Sequence, residues 1–261
     1  MTRLVLTALD HFPLVRPGDD LPGLVVEALR RNGLAPVDGD VLVVAHKVIS
    51  KAEGRLVKLE TVKPSEEARR LAAKTGKDPR LVEVVLRESR AIVRARPGVI
   101  VAEHRLGWVC ANAAVDRSNV PPDKGGGEQL VLLPRDPDAS ARAIREAVGQ
   151  AFGADVAVIV NDTHGRPFRL GAVGVAIGVA GMAPLTDLRG RRDLFGYTMR
   201  TTEVATADEL AAAASLLQGQ GDEGRPVVHI RGGTRRARRE SHRAPVDQAP
   251  GVGHVPGLKR G

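Results

Sequence analysis

The stretch "DVAVIVNDTHGRPFRLGAVGVAIGVAG" (155–181) decides how this chain is read. "DVAVIV" is a short, continuous apolar run of the kind that forms a buried strand. "GAVGVAIGVAG" is a second apolar run, studded with glycine, and reads as a further strand. Between them, "NDTHGRPFRLG" (161–171) gathers an acid, a hydroxyl, an imidazole and two arginines just where the first strand is expected to end. Loops at strand ends place reactive groups on a rigid frame. The segment is therefore either a polar surface turn or one wall of a site for charged oxygen atoms.

Working outward, strands and helices interleave. "RLVLTAL" (3–9), "DVLVVAH" (40–46) and "RPVVHIRG" (225–232) read as strands, and "AIVRAR" and "VIVAEH" make a hairpin about "PG". "LPGLVVEALRRN", "PSEEARRLAAKTG", "DPRLVEVVLRES", "DPDASARAIREAVGQAFG" and "TEVATADELAAAASLLQG" carry helical spacing or helix start signals. The pattern predicts a mixed α+β body, with no internal repeat. At 261 residues the chain can bury a substantial core. Only 2% of residues are aromatic, so that core must be built from aliphatic side chains, with alanine and glycine allowing close approach.

Charge has to be located before it is interpreted. The formal net charge is +8, but residues 234–261 hold seven Lys/Arg and two acids, leaving +3 for the rest. The body is thus expected at 1–233 and a flexible basic tail at 234–261, with no specific nucleic-acid role. The single cysteine, Cys110, excludes an internal disulfide, suits a cytoplasmic setting and reads as a buried thiol. No signal peptide is visible, and the longest uncharged stretch, "LGAVGVAIGVAGMAPLT", reads as β structure rather than a membrane span.

Several familiar chemistries are absent. There is no P-loop, no H-E-x-x-H, no C-x-x-C pair and no G-x-S-x-G. "GQGDEG" follows a helix rather than a strand and fails as a dinucleotide fingerprint. What remains are polar clusters at element ends. Asp116 and Asp162 could converge as a hard oxygen site for Mg²⁺ or Mn²⁺, or each could cap its own turn. Lys47 and Lys51 could hold a polyanion or belong to a solvated helix start. Arg166 and Arg169, braced by Gly165 and Pro167, suit carboxylate or phosphate oxygens. His164 reads as an exposed loop histidine.

Taken in order, "PLVRPGDDL", "HKVISKAEGRLV", "CANAAVDRSNV", "LLPRDPDASA", "NDTHGRPFRLGAVGVAIG", "TEVATADELAAAA" and "GQGDEGRPVVHIRG" resemble the coenzyme F420-0:L-glutamate ligase family, the γ-glutamyl ligases of F420 biosynthesis. The resemblance runs from about 3 to 233. It implies an α+β fold that is neither P-loop nor ATP-grasp, and a homodimer. It also implies GTP-dependent attachment of L-glutamate to F420-0, two divalent cations and a monovalent cation such as K⁺. A second, γ-linked glutamate is often added.

By position, the resemblance places Phe12, Pro13, Leu14 and Val15 in the GTP site, with His46, Lys51 and Asn119. The loop Gln218, Gly219, Gln220, Gly221, Asp222, Glu223, Gly224, Arg225 and Pro226 is a further nucleotide segment. Asp116, Asp162, Thr163 and Gln220 match metal positions, Thr163 through its backbone carbonyl. Lys51, Asp116, Asp162, Arg166 and Arg169 would carry the chemistry. The departures are His46 for Gln or Ser, Ala114 for the usual glycine, and a longer "PPDKGGGEQ". Some members carry a C-terminal flavin-binding reductase domain; reduction of a dehydro precursor is expected from a separate protein here. Two other readings stay open: an amide ligase acting on a different carboxylate, and a nucleic-acid-binding protein working through its tail.

Overall fold

The computed structural model describes residues 3–123, 125–165 and 169–232. The expected tail, 234–261, and Arg166 lie outside them. The first half contains β1 (Val5–Ala8), α1 (Leu21–Arg31), β2 (Val41–Ala45), α2 (His46–Ala52), β3 (Leu56–Lys58), α3 (Glu66–Thr75), α4 (Pro79–Glu88), β4 (Ser89–Arg96), β5 (Val99–His104) and β6 (Val109–Ala111). The second contains β7 (Gln129–Val131), α5 (Pro137–Phe152), β8 (Ala157–Gly165), β9 (Ala172–Ala180), β10 (Thr186–Asp187), β11 (Glu203–Val204), α6 (Thr206–Gln218) and β12 (Val227–Arg231). The mixed α+β expectation is met.

Helix boundaries follow local chemistry. Asp20, Ser65, Asp78 and Asp136 each accept a hydrogen bond from a first-turn amide of the helix that follows. Each such cap is worth about 1 kcal/mol. Pro22, Pro79 and Pro137 occupy first-turn positions where no amide donor is needed. Gly76 and Gly153 end α3 and α5 in the left-handed conformation.

The main sheet has the order β1-β12-β2-β8-β9. β2 and β8 run parallel; the other neighbours are antiparallel. Alternation sorts their side chains onto two faces. Leu42, Val44, Val158 and Val160 join Leu29 of α1 and Ile144 and Val148 of α5 in one core. Val41, Val43, Ala157 and Ile159 join Ala207, Leu210, Ala211 and Ala214 of α6 in another. Full burial of each such Val, Leu or Ile stabilises the fold by about 1.5–3 kcal/mol. The alanine face of α6 explains the scarcity of aromatics: a Cβ on Gly174 of β9 would sit 2.6 Å from the Ala211 carbonyl oxygen. Backbone fits directly against backbone there.

A second core lies between α3, α4 and the β4-β5-β6 sheet, around Val82, Val85, Ile100 and Ala102. The predicted hairpin is β4 and β5, with register shifts between Ser89 and Ala91 and between Ile92 and Arg94. No helix among the described residues is long and apolar enough to cross a membrane.

One expectation is corrected. Strand β8 does not end at Val160; it runs on to Gly165, with Asn161 to Gly165 paired against Ala176 to Ala172 of β9. A register shift at Val160/Asn161 marks where the apolar part gives way to the polar part. The backbone bonds of β9 extend the ladder past the core. Polar side chains can therefore stand on a strand rather than a loop.

Candidate functional site

Because β2 and β8 are parallel, their carboxyl ends lie together, with Ala45 opposite Asn161. Such ends are where open α/β sheets place ligands. His46 starts α2 directly after β2, and Asp162 follows on β8. His46 Nε2 lies 3.2 Å from Asp162 Oδ1, and His164 Nε2 lies 2.9 Å from Oδ2. The Thr163 amide also donates to Oδ1, at 2.7 Å. Burial alone would push the Asp162 carboxyl up; the two histidines outweigh it and hold the group well below the usual carboxylate range. His164 is therefore half-buried against Asp162, not an exposed loop residue. Its position two residues along the same strand is what brings it there.

Lys47, the next residue of α2, reaches the other acid. Its ammonium lies 2.6 Å from Asp116 Oδ2 and donates to the Ser118 hydroxyl and carbonyl. Asp116 also accepts from the Arg117 and Ser118 amides. Burial raises this carboxyl, but Lys47 and the Ser118 amide outweigh burial and hold it low. The turn-cap reading of Asp116 is thus met, and its carboxylate stays ionised. His46 and Lys47 are adjacent in sequence, so the start of α2 links the two carboxylates.

Lys51 lies one turn further along α2 and is half-buried, with no ion pair among the described residues. Burial, then the neighbouring Lys47 charge, push its pKa down. Ser50 is fully buried, within 3.4 Å of His46 Nδ1.

The loop after α6 closes the same end of the sheet. Gln220 Nε2 donates to Thr163 Oγ1 at 3.1 Å, and Asn119 Nδ2 donates to the Gly221 carbonyl at 2.8 Å. The Gly221 amide donates to Glu223, and Arg225 pairs with Asp10 at 2.8 Å. Gly219 and Gly224 adopt left-handed φ values of 70° and 68°. A Cβ at Gly219 would displace the Glu223 carboxylate, which lies against it. Asp222 is exposed, and Pro226 contributes its carbonyl to Ala45 and Gln218.

Not every expected site residue faces a ligand with its side chain. Gln218 is the last residue of α6 and is buried: it accepts from Asn161 at 2.6 Å and donates to the Val43 and Pro226 carbonyls. It ties the loop to the sheet. In the Phe12–Val15 segment, Val15 is in the core and Phe12 packs against it, Pro13 is half-buried, and Leu14 is 89% exposed. Arg169 is exposed and makes no ion pair among the described residues. Cys110 is buried as expected, and burial followed by the Asp162 charge pushes its thiol up to about 12.

The sequence reading missed Lys47 as the partner of Asp116. It also missed the backbone of Asn112, Ala113 and Ala114, three consecutive non-glycine residues at φ 51°, 50° and 54°. The usual glycine at position 114 was the available signal, since glycine takes that conformation without penalty. Left-handed backbone costs other residues about 1–2 kcal/mol each. Here it turns the chain from β6 toward Asp116.

The donor types suit a hard divalent cation: two ionised carboxylates, a threonine and a glutamine lie on the elements around the start of α2, without a thiolate among them. Among the described residues no group of three or more His, Cys, Asp or Glu forms a metal cluster, so further ligands would come from a bound nucleotide or water.

Known proteins match this chain along most of its length. The sequence model of the F420-0:gamma-glutamyl ligase family matches residues 10–232. The coenzyme F420:L-glutamate ligase of Methanothermobacter thermautotrophicus is 53% identical over 227 residues, 87% of this chain and 88% of the relative. That of Methanopyrus kandleri is 52% identical over 218 residues, 84% and 82% respectively. That of Archaeoglobus fulgidus is 43% identical over 230 residues, 88% of each. Matched along this length and at these identities, the chain belongs to the F420-0:gamma-glutamyl ligase family, a ligase family of coenzyme F420 biosynthesis.

Proposed function

We infer that the protein joins L-glutamate to coenzyme F420-0 through an amide bond, at the expense of GTP. The observation that carries this reading is Lys51: a half-buried ammonium without an anionic partner among the described residues, one helical turn from Lys47, which pairs with the ionised Asp116. A phosphate would complete its charge balance.

A carboxylate is a poor electrophile, so the acceptor must be activated first. The γ-phosphoryl group of GTP passes to the F420-0 carboxylate, giving an acyl phosphate and GDP. The glutamate amine then attacks the acyl carbon, the C–O bond to phosphate breaks, and inorganic phosphate and a proton leave. Asp116, Asp162, Thr163 and Gln220 would hold two divalent cations, Mg²⁺ or Mn²⁺. Such ions supply charge neutralisation at phosphate oxygens. Lys51 orients the nucleotide phosphates, Lys47 and the two histidines keep the carboxylates ionised and in place, and Arg166 and Arg169 are further candidates for holding anions. Asn119, the Phe12–Val15 backbone, His46 and the 218–226 loop would shape the rest of the GTP site.

A K⁺ requirement, a homodimer, a cytoplasmic setting and a second γ-linked glutamate complete the proposal. The test is incubation with GTP, Mn²⁺, L-glutamate and F420-0, read by mass spectrometry. A glutamylated product with equimolar GDP is expected. Absence of both would overturn the reading, and GDP formation only with another carboxylate acceptor would transfer it to a related amide ligase.

A further inference from the structure

We propose that the cleft between the α3–α4 turn and residues 112–117 is the subsite for the incoming amino acid, its amine toward the Asn112 side-chain carbonyl and its carboxylates toward Lys77 and Arg117. The proposal rests on the ligation described above and adds the place of the second substrate. The cleft has a volume of about 430 Å³, within the range of small-molecule pockets, roughly 300–1,000 Å³.

Its walls carry both signs of charge. Lys77 and Arg117 are cationic; Asp78 and Asp116 are anionic. A bare phosphate would meet two carboxylates, and a bare cation two cationic groups. A dicarboxylic amino acid brings carboxylates for the cationic groups and an amine for the unpartnered Asn112 acceptor. Asp78 and Asp116 are already spent: Asp78 caps the Arg80 amide and holds the Arg80 guanidinium through three contacts, the shortest at 2.7 Å, and Asp116 accepts from Lys47, the Ser118 hydroxyl and two backbone amides. Arg117 shares an exposed pair with Glu128 at 3.0 Å. Lys77 makes no ion pair among the described residues, so its ammonium is available for a carboxylate. Leu81 and Val115 provide apolar surface for the methylene stem.

At the inner end, Asn112 lines the cleft and its Oδ1 is a buried acceptor without a hydrogen-bond partner. An N–H from a substrate amine would satisfy it. The left-handed backbone of Asn112 to Ala114 brings this amide and Asp116 to the same cleft. Backbone strain of this kind gathers at binding sites. Asp116 belongs to both places: it lines the cleft and it contacts Lys47 on the side where Lys51 lies. An amine at this end of the cleft therefore stands beside the phosphate side of the site.

The test uses full-length Lys77→Ala, Lys77→Glu and Lys77→Arg, with circular dichroism confirming that each is folded. The KM for L-glutamate is expected to rise about tenfold in Lys77→Ala, the worth of one charge-assisted hydrogen bond. It should rise further in Lys77→Glu and recover in Lys77→Arg, with the KM for GTP held within about twofold. An unchanged KM for L-glutamate, or a rise confined to GTP or the F420-0 acceptor, would overturn the assignment. Binding is read separately from turnover by saturation-transfer NMR of L-glutamate with GDP and diamagnetic Mg²⁺ present. A signal in the wild type that Lys77→Glu abolishes supports the subsite even if F420-0 is never ligated. Equal signals, or none in the wild type, refute it. Glutarate, which lacks the amine, should compete poorly; competition as strong as that of L-glutamate would refute the amine contact to Asn112.

Discussion

Replacing Lys51 with methionine keeps the length and apolar stem of the side chain and removes only its charge. The effects on activity and stability should then run in opposite directions. If the ammonium holds a nucleotide phosphate, its loss removes a charge-assisted contact in a partly desolvated site, about 2–3 kcal/mol. At 1.36 kcal/mol per factor of ten, kcat/KM for GTP should fall about 100-fold. Stability should rise, because an unpartnered half-buried charge disfavours the folded state; gains of this type are about 0.5–2 kcal/mol.

The sign follows from Lys51, whose folded pKa lies below its unfolded value of 10.5. The destabilising charge is fully present below the folded pKa and disappears as pH rises through it toward the unfolded one. The advantage of Lys51→Met should therefore be largest at neutral pH and fade in alkaline buffer. Steady-state kinetics with GTP, paired with urea unfolding at both pH values, reads the two effects. A variant that keeps GTP turnover within about threefold of wild type, or that loses stability at neutral pH, would refute the reasoning.

The buried cluster at the opposite end of β2 should dominate acid stability. Asp40, 2% exposed, meets His229 at 2.7 Å and Arg231 at 2.7 Å. Burial raises its pKa, but Arg231, the Val37 amide and His229 more than offset this, so it is held below 3.8. Its contribution is present above 3.8 and lost as pH falls through the lower folded value. Asp40→Asn should cost about 3–5 kcal/mol in urea unfolding at neutral pH, a gap that closes in acid; a pH-independent gap would contradict this. Gly178→Ala should lower the melting temperature and cost about 1–3 kcal/mol, because a Cβ there would lie 2.6 Å from the Pro137 carbonyl carbon. Wild-type melting would disprove that contact. Gln220→Ala, which loses the contact to Thr163, should raise the Mn²⁺ concentration for half-maximal turnover about tenfold. An unaltered Mn²⁺ titration would remove Gln220 from the proposed metal site.

Much of the fold was legible because its elements are locally consistent. Asp20, Ser65, Asp78 and Asp136 announce their helices, and the short continuous apolar runs at 41–45 and 156–160 read as buried strands, as they are. The extension of β8 across "NDTHG" was not legible, since its polar residues carry no strand periodicity and depend on β9 for their hydrogen bonds. For the same reason His164 looked like a loop residue. Gln218 looked like a ligand contact because its burial against Asn161 and Val43 spans 57 and 175 residues of sequence.

By itself the sequence determined which residue types the protein has for oxygen-rich, anionic chemistry, the family they resemble, and the caps and apolar periods that make its helices and central strands. These are local properties, readable over a few residues. Only the tertiary structure decided how the site is wired: His46 to Asp162, Lys47 to Asp116, Gln220 to Thr163, and Lys51 left without a partner among the described residues. Those pairings depend on the parallel register of β2 with β8 and on backbone strain at 112–114. Both are set by the packing of distant segments, which no local pattern encodes.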